Sequence, residues 1–242
     1  VVVTSDKCYD NQEWCWGYRE NDPLGGHDPY SASKGAAEIV SAAYRRSYFD
    51  KHGQGPHLGF ATARAGNVIG GGDWAKDRII PDCVRALSAG KPIDIRNPGA
   101  TRPWQHVLDP LAGYLLLAAR LQEDPDTYSG AWNFGPRTSD QITVAELAKR
   151  FIKGWGNGTI QTQPMERKQP HEARLLNLNT DKAAFALQWH PVLDSSSAID
   201  WTVAWYKSWH EHTDDPRDLS VLQIREFQKI DSTTKKDILE VS

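Results

Sequence analysis

The chain has 242 residues, enough to bury a full core, and its 39% hydrophobic, 24% charged and 10% aromatic content is that of an ordinary globular protein. A formal net charge of −3 gives no electrostatic reason for a nucleic-acid or membrane partner. No apolar run approaches the roughly 18 residues that span a bilayer. Cys8, Cys15 and Cys83 are odd in number, and the opening VVVTSDK lacks the basic and long apolar regions of a signal peptide. Buried free thiols in a reducing, cytoplasmic setting are therefore expected. The spacing of Cys8, Cys15 and His27 does not match the common zinc patterns, so no metal site is expected. His210 and His212 read as a solvated helix end.

Val1 to Thr4 is the β-branched run of a buried parallel strand. The chain opens on it without an initiator Met, its single Met being Met165, and so reads as a fragment. A polar loop follows from Ser5 to Pro29, then a helix from Tyr30 to about Phe49 and a strand from Leu58 to Arg64. Strand, loop, helix and strand in this order predict a parallel α/β sheet. After the glycine-rich AGNVIGGGDW come a helix (Asp77 to Gly90), a strand (Lys91 to Arg96), a short strand (Trp104 to Val107) and a helix (Leu108 to Leu121). The strand Ala131 to Gly135 precedes a helix from Thr143 to Phe151, entered through a Thr143-x-x-Glu146 capping box. Two more helices are expected near Thr180 to Leu187 and Asp194 to His212. The charged tail has one apolar-periodic segment, Leu219 to Phe227.

The strongest chemical signal is Tyr30-Ser-Ala-Ser-Lys34, with Tyr and Lys four apart and therefore on one helical face. A tyrosine with a pKa of about 10 is a poor base at neutral pH, and a nearby ammonium favours the phenolate. Alone, the spacing is also that of any amphipathic helix face. Upstream, however, a strand ends in Thr4-Ser5-Asp6-Lys7. Strand, hydroxyl residue, loop, then Pro29-Tyr30-x-x-x-Lys34 resembles the active site of the extended short-chain dehydrogenases/reductases, in the NAD-dependent epimerase/dehydratase group.

That resemblance implies an α/β fold: a partial Rossmann-like, doubly wound parallel sheet with a smaller C-terminal mixed α/β region that binds a nucleotide-sugar. It places the C-terminal part of the NAD domain in residues 1–67, mostly substrate-binding segments in 68–214, and a charged helical tail in 215–242. Ser5 would orient the substrate hydroxyl, Tyr30 would act as base and Lys34 would hold the nicotinamide ribose. Tyr30, Lys34, Ala65 and Asn67 would contact NAD. Asp6 resembles the acid of the sugar-nucleotide 4,6-dehydratases, which must protonate a hydroxide leaving carbon 6. Many of those carry Asp-Glu here. Asp6-Lys7 resembles the branch acting on CDP-glucose and leaves the carbon 5 base open: neutral Lys7, or another group that it positions.

Three further blocks, Arg64 to Trp74, Asp77 to Asp82 and Arg96 to His106, are similar to that branch. Glycine amides can approach a phosphate closely, and arginines offer it a planar fork. Asn67, Arg78, Arg96 and Arg102 are the expected diphosphate partners, with Trp104 or Trp74 stacking on the base. Asn133 touches the sugar or pins a turn. The glycine fingerprint of a dinucleotide-binding βα turn is missing, since Gly53-Gln-Gly55 follows a helix. On the order of 100 residues of βα units are therefore expected upstream, and the isolated chain is expected to be inactive. The intact protein is expected to form a homodimer or higher homo-oligomer. A nucleotide-sugar epimerase or 4-reductase, or a non-catalytic binding module, are the alternatives.

Overall fold

The computed structural model describes residues 1–162 and 175–231. In chain order the elements are β1 (Val2–Val3), α1 (Pro29–Tyr44), β2 (Ala61–Ala65), β3 (Val68–Ile69), α2 (Ile79–Ser88) and β4 (Ile93–Ile95). They continue with β5 (Thr101–Arg102), β6 (Gln105–His106), α3 (Leu108–Glu123), α4 (Pro125–Tyr128) and β7 (Gly130–Phe134). The last are β8 (Ile142–Thr143), α5 (Val144–Trp155), β9 (Ile160–Thr162), α6 (Ser195–Glu211) and α7 (Pro216–Ile230).

β1, β2 and β7 form a three-stranded parallel sheet in that order, with Val2 opposite Thr62 and Ala63 opposite Trp132. The two faces of β2 differ because its side chains alternate. Ala61 and Ala63 pack into a core with Leu116, Leu117 and Leu121 of α3, Trp132 and Phe134 of β7, and Trp189. Thr62 and Arg64 point the other way, to Glu38 of α1. Helices thus cover both faces, as a doubly wound parallel sheet requires. The first strand is parallel as the sequence predicts; Val1, Val2 and Val3 are exposed, β1 pairing with β2 alone among the described residues, while Thr4 is buried.

A second core joins α2, α5 and α6 to β4 through Val84, Leu87, Ile93, Leu147, Phe151 and Val203. The capping box of α5 forms as the sequence predicts, Thr143 Oγ1 accepting from the Glu146 N–H and the Glu146 carboxylate from the Thr143 N–H. β9 pairs with β4 in parallel, Ile93 opposite Ile160, although nothing in its sequence announces a strand. Asp181 to Leu187 form a wide helical turn rather than a regular α-helix. The apolar segment Leu219 to Phe227 lies within the longer α7, and the tail beyond 231 is outside the described residues.

The long polar loop after β1 carries a small core of its own. Tyr9 and Tyr18 stack at 5.0 Å and pack with Leu176 and Leu178, and Tyr9 and Tyr18 bridge to Leu24 and Leu178. Cys8 and Cys83 are buried as expected, whereas Cys15 is exposed at the outside of this loop. Among the described residues no helix is long and apolar enough to cross a membrane.

Candidate active site

A cavity of about 670 Å³ opens beyond the carboxyl end of β1 and β2. Crevices of open α/β sheets commonly form there, because the chain leaves adjacent strands in different directions. Ser5, Asp6, Lys7, Tyr30, Ala65, Asn67, Arg78, Arg96, Arg102 and Trp104 all line it. Residues as far apart as Ser5 and Trp104 are therefore brought to one wall-and-floor arrangement.

Tyr30 stands in the first turn of α1 because that helix starts sharply. The Asp28 carboxylate accepts from the Tyr30 and Ser31 N–H groups at 2.9 and 3.0 Å, and Pro29 fills the first helical position. The Tyr30 side chain is 57% exposed over the cavity. Lys34, one turn on, does not line the cavity but lies half-buried beside Tyr30, its ammonium 5.7 Å from the ring centre.

Asp6 is more deeply buried than the other charged groups of the site. It opens the helical turn Asp6–Cys8, capped by Ser5, whose Oγ accepts from the Lys7 N–H at 3.2 Å and donates to Asp6 Oδ1 at 2.9 Å. Only 3% of Asp6 is exposed. Burial raises its pKa above the ordinary carboxylate value, against the opposing pull of Lys7, the Ser5 hydroxyl and Arg102. The space for this carboxyl comes from Gly66: a Cβ there would sit 2.1 Å from Asp6 Oδ2. No other residue at position 66 leaves the acid where it is.

On the opposite wall, Arg78 and Arg96 reach Asp73 and Asp77, each at 3.2 Å. Both pairs are largely exposed, where such contacts contribute about 0–1 kcal/mol, so an anionic ligand can displace the aspartates at small cost. Sequence reasoning named the arginines and missed the acids that hold them. Arg102 is buried and donates to the Thr101 carbonyl at 2.8 Å. Asn67 adopts a left-handed conformation (φ 47°), tolerated by Asn, and its carbonyl accepts from the Gln105 N–H at 3.3 Å. Trp104 is largely buried, and its indole N–H finds no acceptor among the described residues.

The structure decides between two pairs of alternatives that the sequence left open. Asn133 is fully buried away from the cavity: its amide accepts from the Tyr9 hydroxyl and donates to the Tyr18 and Asn179 carbonyls. It therefore pins loops and does not line the cavity where a sugar would sit. Trp74 does not line the cavity but packs against Tyr206 and Trp209 of α6. In the glycine run 70–72, Gly70 lines the cavity, and Gly70 and Gly71 also pack closely against their neighbours. A Cβ at Gly71 would meet the Trp205 ring at 2.1 Å, and one at Gly70 the Val107 side chain at 2.7 Å.

The sequence and the coordinates both have relatives among known proteins. The model of the NAD dependent epimerase/dehydratase family matches residues 1–135. A CDP-glucose 4,6-dehydratase of Salmonella typhimurium is 49% identical over 210 residues, covering 86% of this chain and 58% of that protein. A dTDP-glucose 4,6-dehydratase of Streptomyces antibioticus is 28% identical, covering 86% of this chain and 57% of its own length. The chain thus spans somewhat over half the length of these relatives. Among solved structures, a dTDP-glucose 4,6-dehydratase of Bacillus anthracis in complex with NAD superimposes with a TM-score of 0.68 at 22% identity, covering 86% of this chain and 61% of that one. A UDP-glucuronic acid 4-epimerase of Bacillus cereus in complex with UDP-glucuronic acid and NAD gives 0.69 at 17% identity, covering 86% and 60%. These last two likenesses are of fold.

Proposed function

Because the chain belongs to the NAD dependent epimerase/dehydratase family, we propose that it carries the catalytic and nucleotide-sugar side of a 4,6-dehydratase that turns CDP-glucose into CDP-4-keto-6-deoxyglucose and water. The observation that carries this reading is Asp6: a carboxyl buried at a cavity floor and held toward its neutral form, across from an exposed tyrosine that has a lysine beside it. Epimerisation at carbon 4 needs no such acid. Loss of a hydroxide from carbon 6 does. The 49% identical relative supports CDP-glucose as the substrate.

In this reading Tyr30 removes the proton of the 4-hydroxyl, with the Lys34 ammonium 5.7 Å from its ring centre. NAD, when bound, would accept a hydride from carbon 4 and return it at carbon 6, so that no net oxidation occurs. The exposed Tyr30–Lys34 edge, with the floor at Ala65 and Asn67, fits the nicotinamide end of that cofactor. With carbon 4 a ketone, the carbon 5 proton becomes acidic. Lys7, at the cavity beside Asp6, is placed to take that proton or to position the group that does. Asp6 then gives its proton to the departing 6-hydroxyl, and water leaves. Ser5 spends its proton on Asp6 and retains a lone pair for a substrate hydroxyl. Arg78, Arg96 and Arg102 hold the diphosphate, with Trp104 near the base. The sheet half of the chain thus carries cofactor and acid–base chemistry, and the segments from Val68 onward carry the nucleotide.

The test uses the protein expressed from its complete coding sequence, with NAD and CDP-glucose, and dTDP-glucose and UDP-glucose in parallel. A 4-keto-6-deoxy product from CDP-glucose, seen by its absorbance in alkali and a mass lower by one water, is expected. Tyr30→Phe and Asp6→Asn each lower kcat by roughly 10²–10⁴-fold, the usual weight of a general acid or base. Return of an isomeric hexose with no water lost would assign the protein to the epimerases instead.

A further inference from the structure

Beneath the cavity, on the α1 face of the sheet, lies a buried ion pair that the proposed chemistry does not use. Glu38 and Arg64 meet at 2.8 Å with side chains 3% exposed each. Glu38 Oε2 also accepts from Thr62 Oγ1 at 2.8 Å, and Oε1 from Thr4 Oγ1. Arg64 donates onward to the Tyr9 hydroxyl at 2.7 Å and the Glu20 carbonyl at 3.0 Å, and Tyr9 donates to Asn133 at 2.8 Å. Burial by itself would raise the Glu38 carboxyl, but the hydrogen bond and charge of Arg64 and the two threonine hydroxyls hold it below the usual range. Glu38 therefore stays ionised in the interior.

Stability is a poor reason to keep such a pair. Exchanging a buried ion pair for well-packed apolar side chains is often neutral or stabilising, because desolvation offsets the attraction. The connections of this pair point elsewhere. Glu38 lies one helical turn beyond Lys34 and two beyond Tyr30, on the same face of α1. Thr4 directly precedes Ser5 and Asp6. Arg64 is two residues before Gly66, on which the Asp6 carboxyl rests, and Tyr9 follows the turn that Asp6 opens. Each segment that supplies a reacting group or its seat is tied to one carboxylate–guanidinium centre.

We propose that Glu38 and Arg64 are positioning residues that fix the tyrosine base on α1 and the Asp6 acid in one register. This rests on the reading of Tyr30 and Asp6 as base and acid. Two proton transfers at carbons 4 and 6 of one sugar require both groups at set distances from it. Displacement of about 1 Å costs on the order of 10²-fold in rate. The threonine and tyrosine hydroxyls act as adapters: each links a backbone segment to the charged pair without adding charge.

The experiment compares the parent protein, expressed from its complete coding sequence, with Glu38→Gln and the apolar pair Glu38→Leu/Arg64→Met. For the double variant we expect a melting temperature within a few degrees of the parent, a kcat at least 10-fold lower, and a KM for CDP-glucose within 3-fold. Glu38→Gln, which keeps size and acceptor but removes the charge, gives a smaller loss of kcat in the same direction. Amide hydrogen exchange provides a readout without substrate: peptides covering 4–9 and 29–38 exchange at least 5-fold faster together, while the peptide covering 144–155 does not change. Parent-like kcat in either folded variant overturns the proposal. So does unchanged exchange at 4–9 and 29–38, whichever reaction the parent catalyses. A parent with no dehydratase activity but with the coupled exchange response would defeat the functional reading and leave the coupling of the two segments standing.

Discussion

Single residues set the electrostatics of this molecule through burial. Asp6 and Asp109 are both buried carboxyls, but only Asp6 faces the cavity. Asp109 sits in the first turn of α3, accepts from the Val192 N–H at 2.6 Å with one oxygen, and has no hydrogen-bond partner for the other among the described residues. Burial raises it from 3.8 to about 7, against the Val192 and Leu193 amides. The folded chain therefore keeps a proton that the unfolded chain releases, and raising the pH from about 4 to about 7 weakens the fold. Above about 7 the loss is complete, since both states are then ionised. The limiting slope is about 1.4 kcal/mol per pH unit. Urea unfolding at pH 5 and pH 8 should show Asp109→Asn gaining on the parent as pH rises, and a parallel pair of curves would refute this assignment. Neither carboxyl's burial is visible in the sequence, where each is one acid among 31.

Elements were legible where local signals agree. α1 begins at Pro29, where the polar loop read from the sequence ends, and α5 where the capping box does, because both signals act within a few residues. β9 was not legible: its pairing to β4 is decided by a segment more than 60 residues away in sequence. In the run before α2, Gly70 lines the cavity, but the role of Gly71 was not legible for a related reason. Glycine reports that a close approach occurs but not what approaches, and here it is Trp205 of α6. Gly71→Ala forces a methyl into that ring and should cost about 1–3 kcal/mol in urea unfolding. An unchanged midpoint would mean that the loop, and not the α6 contact, sets the position of this glycine.

At the scale of the whole molecule, the cavity joins groups held by two different cores. Asp6 and Tyr30 are set by the sheet and α1, Arg78 and Arg96 by the α2 and β4 side. The exposed arginines pair with Asp73 and Asp77, so their task in the proposed function is affinity rather than chemistry. Arg78→Gln and Arg96→Gln should each raise KM for the nucleotide-sugar, about 10-fold, with kcat near the parent, and the double variant should lose much of the salt dependence of kcat/KM. A fall in kcat at unchanged KM would place these arginines in the transition state instead.

What the sequence determined by itself was most of the order of strands and helices and the grouping of the residues proposed to react. Tyr30 and Lys34 are bound by helical spacing, and Ser5, Asp6 and Lys7 are neighbours in the chain, so their grouping needs no knowledge of distant contacts. Tertiary structure decided the rest. The sequence left Asn133 open between a sugar contact and a turn pin, and its bonds with Tyr9, Tyr18 and Asn179 decide for the pin; the role of Glu38 comes from Arg64, Thr4 and Thr62 converging on it. The physical reason is that burial and hydrogen-bond saturation are properties of all the surrounding segments at once. A polar side chain acquires its role only when the chain has folded and shown what remains unsatisfied around it.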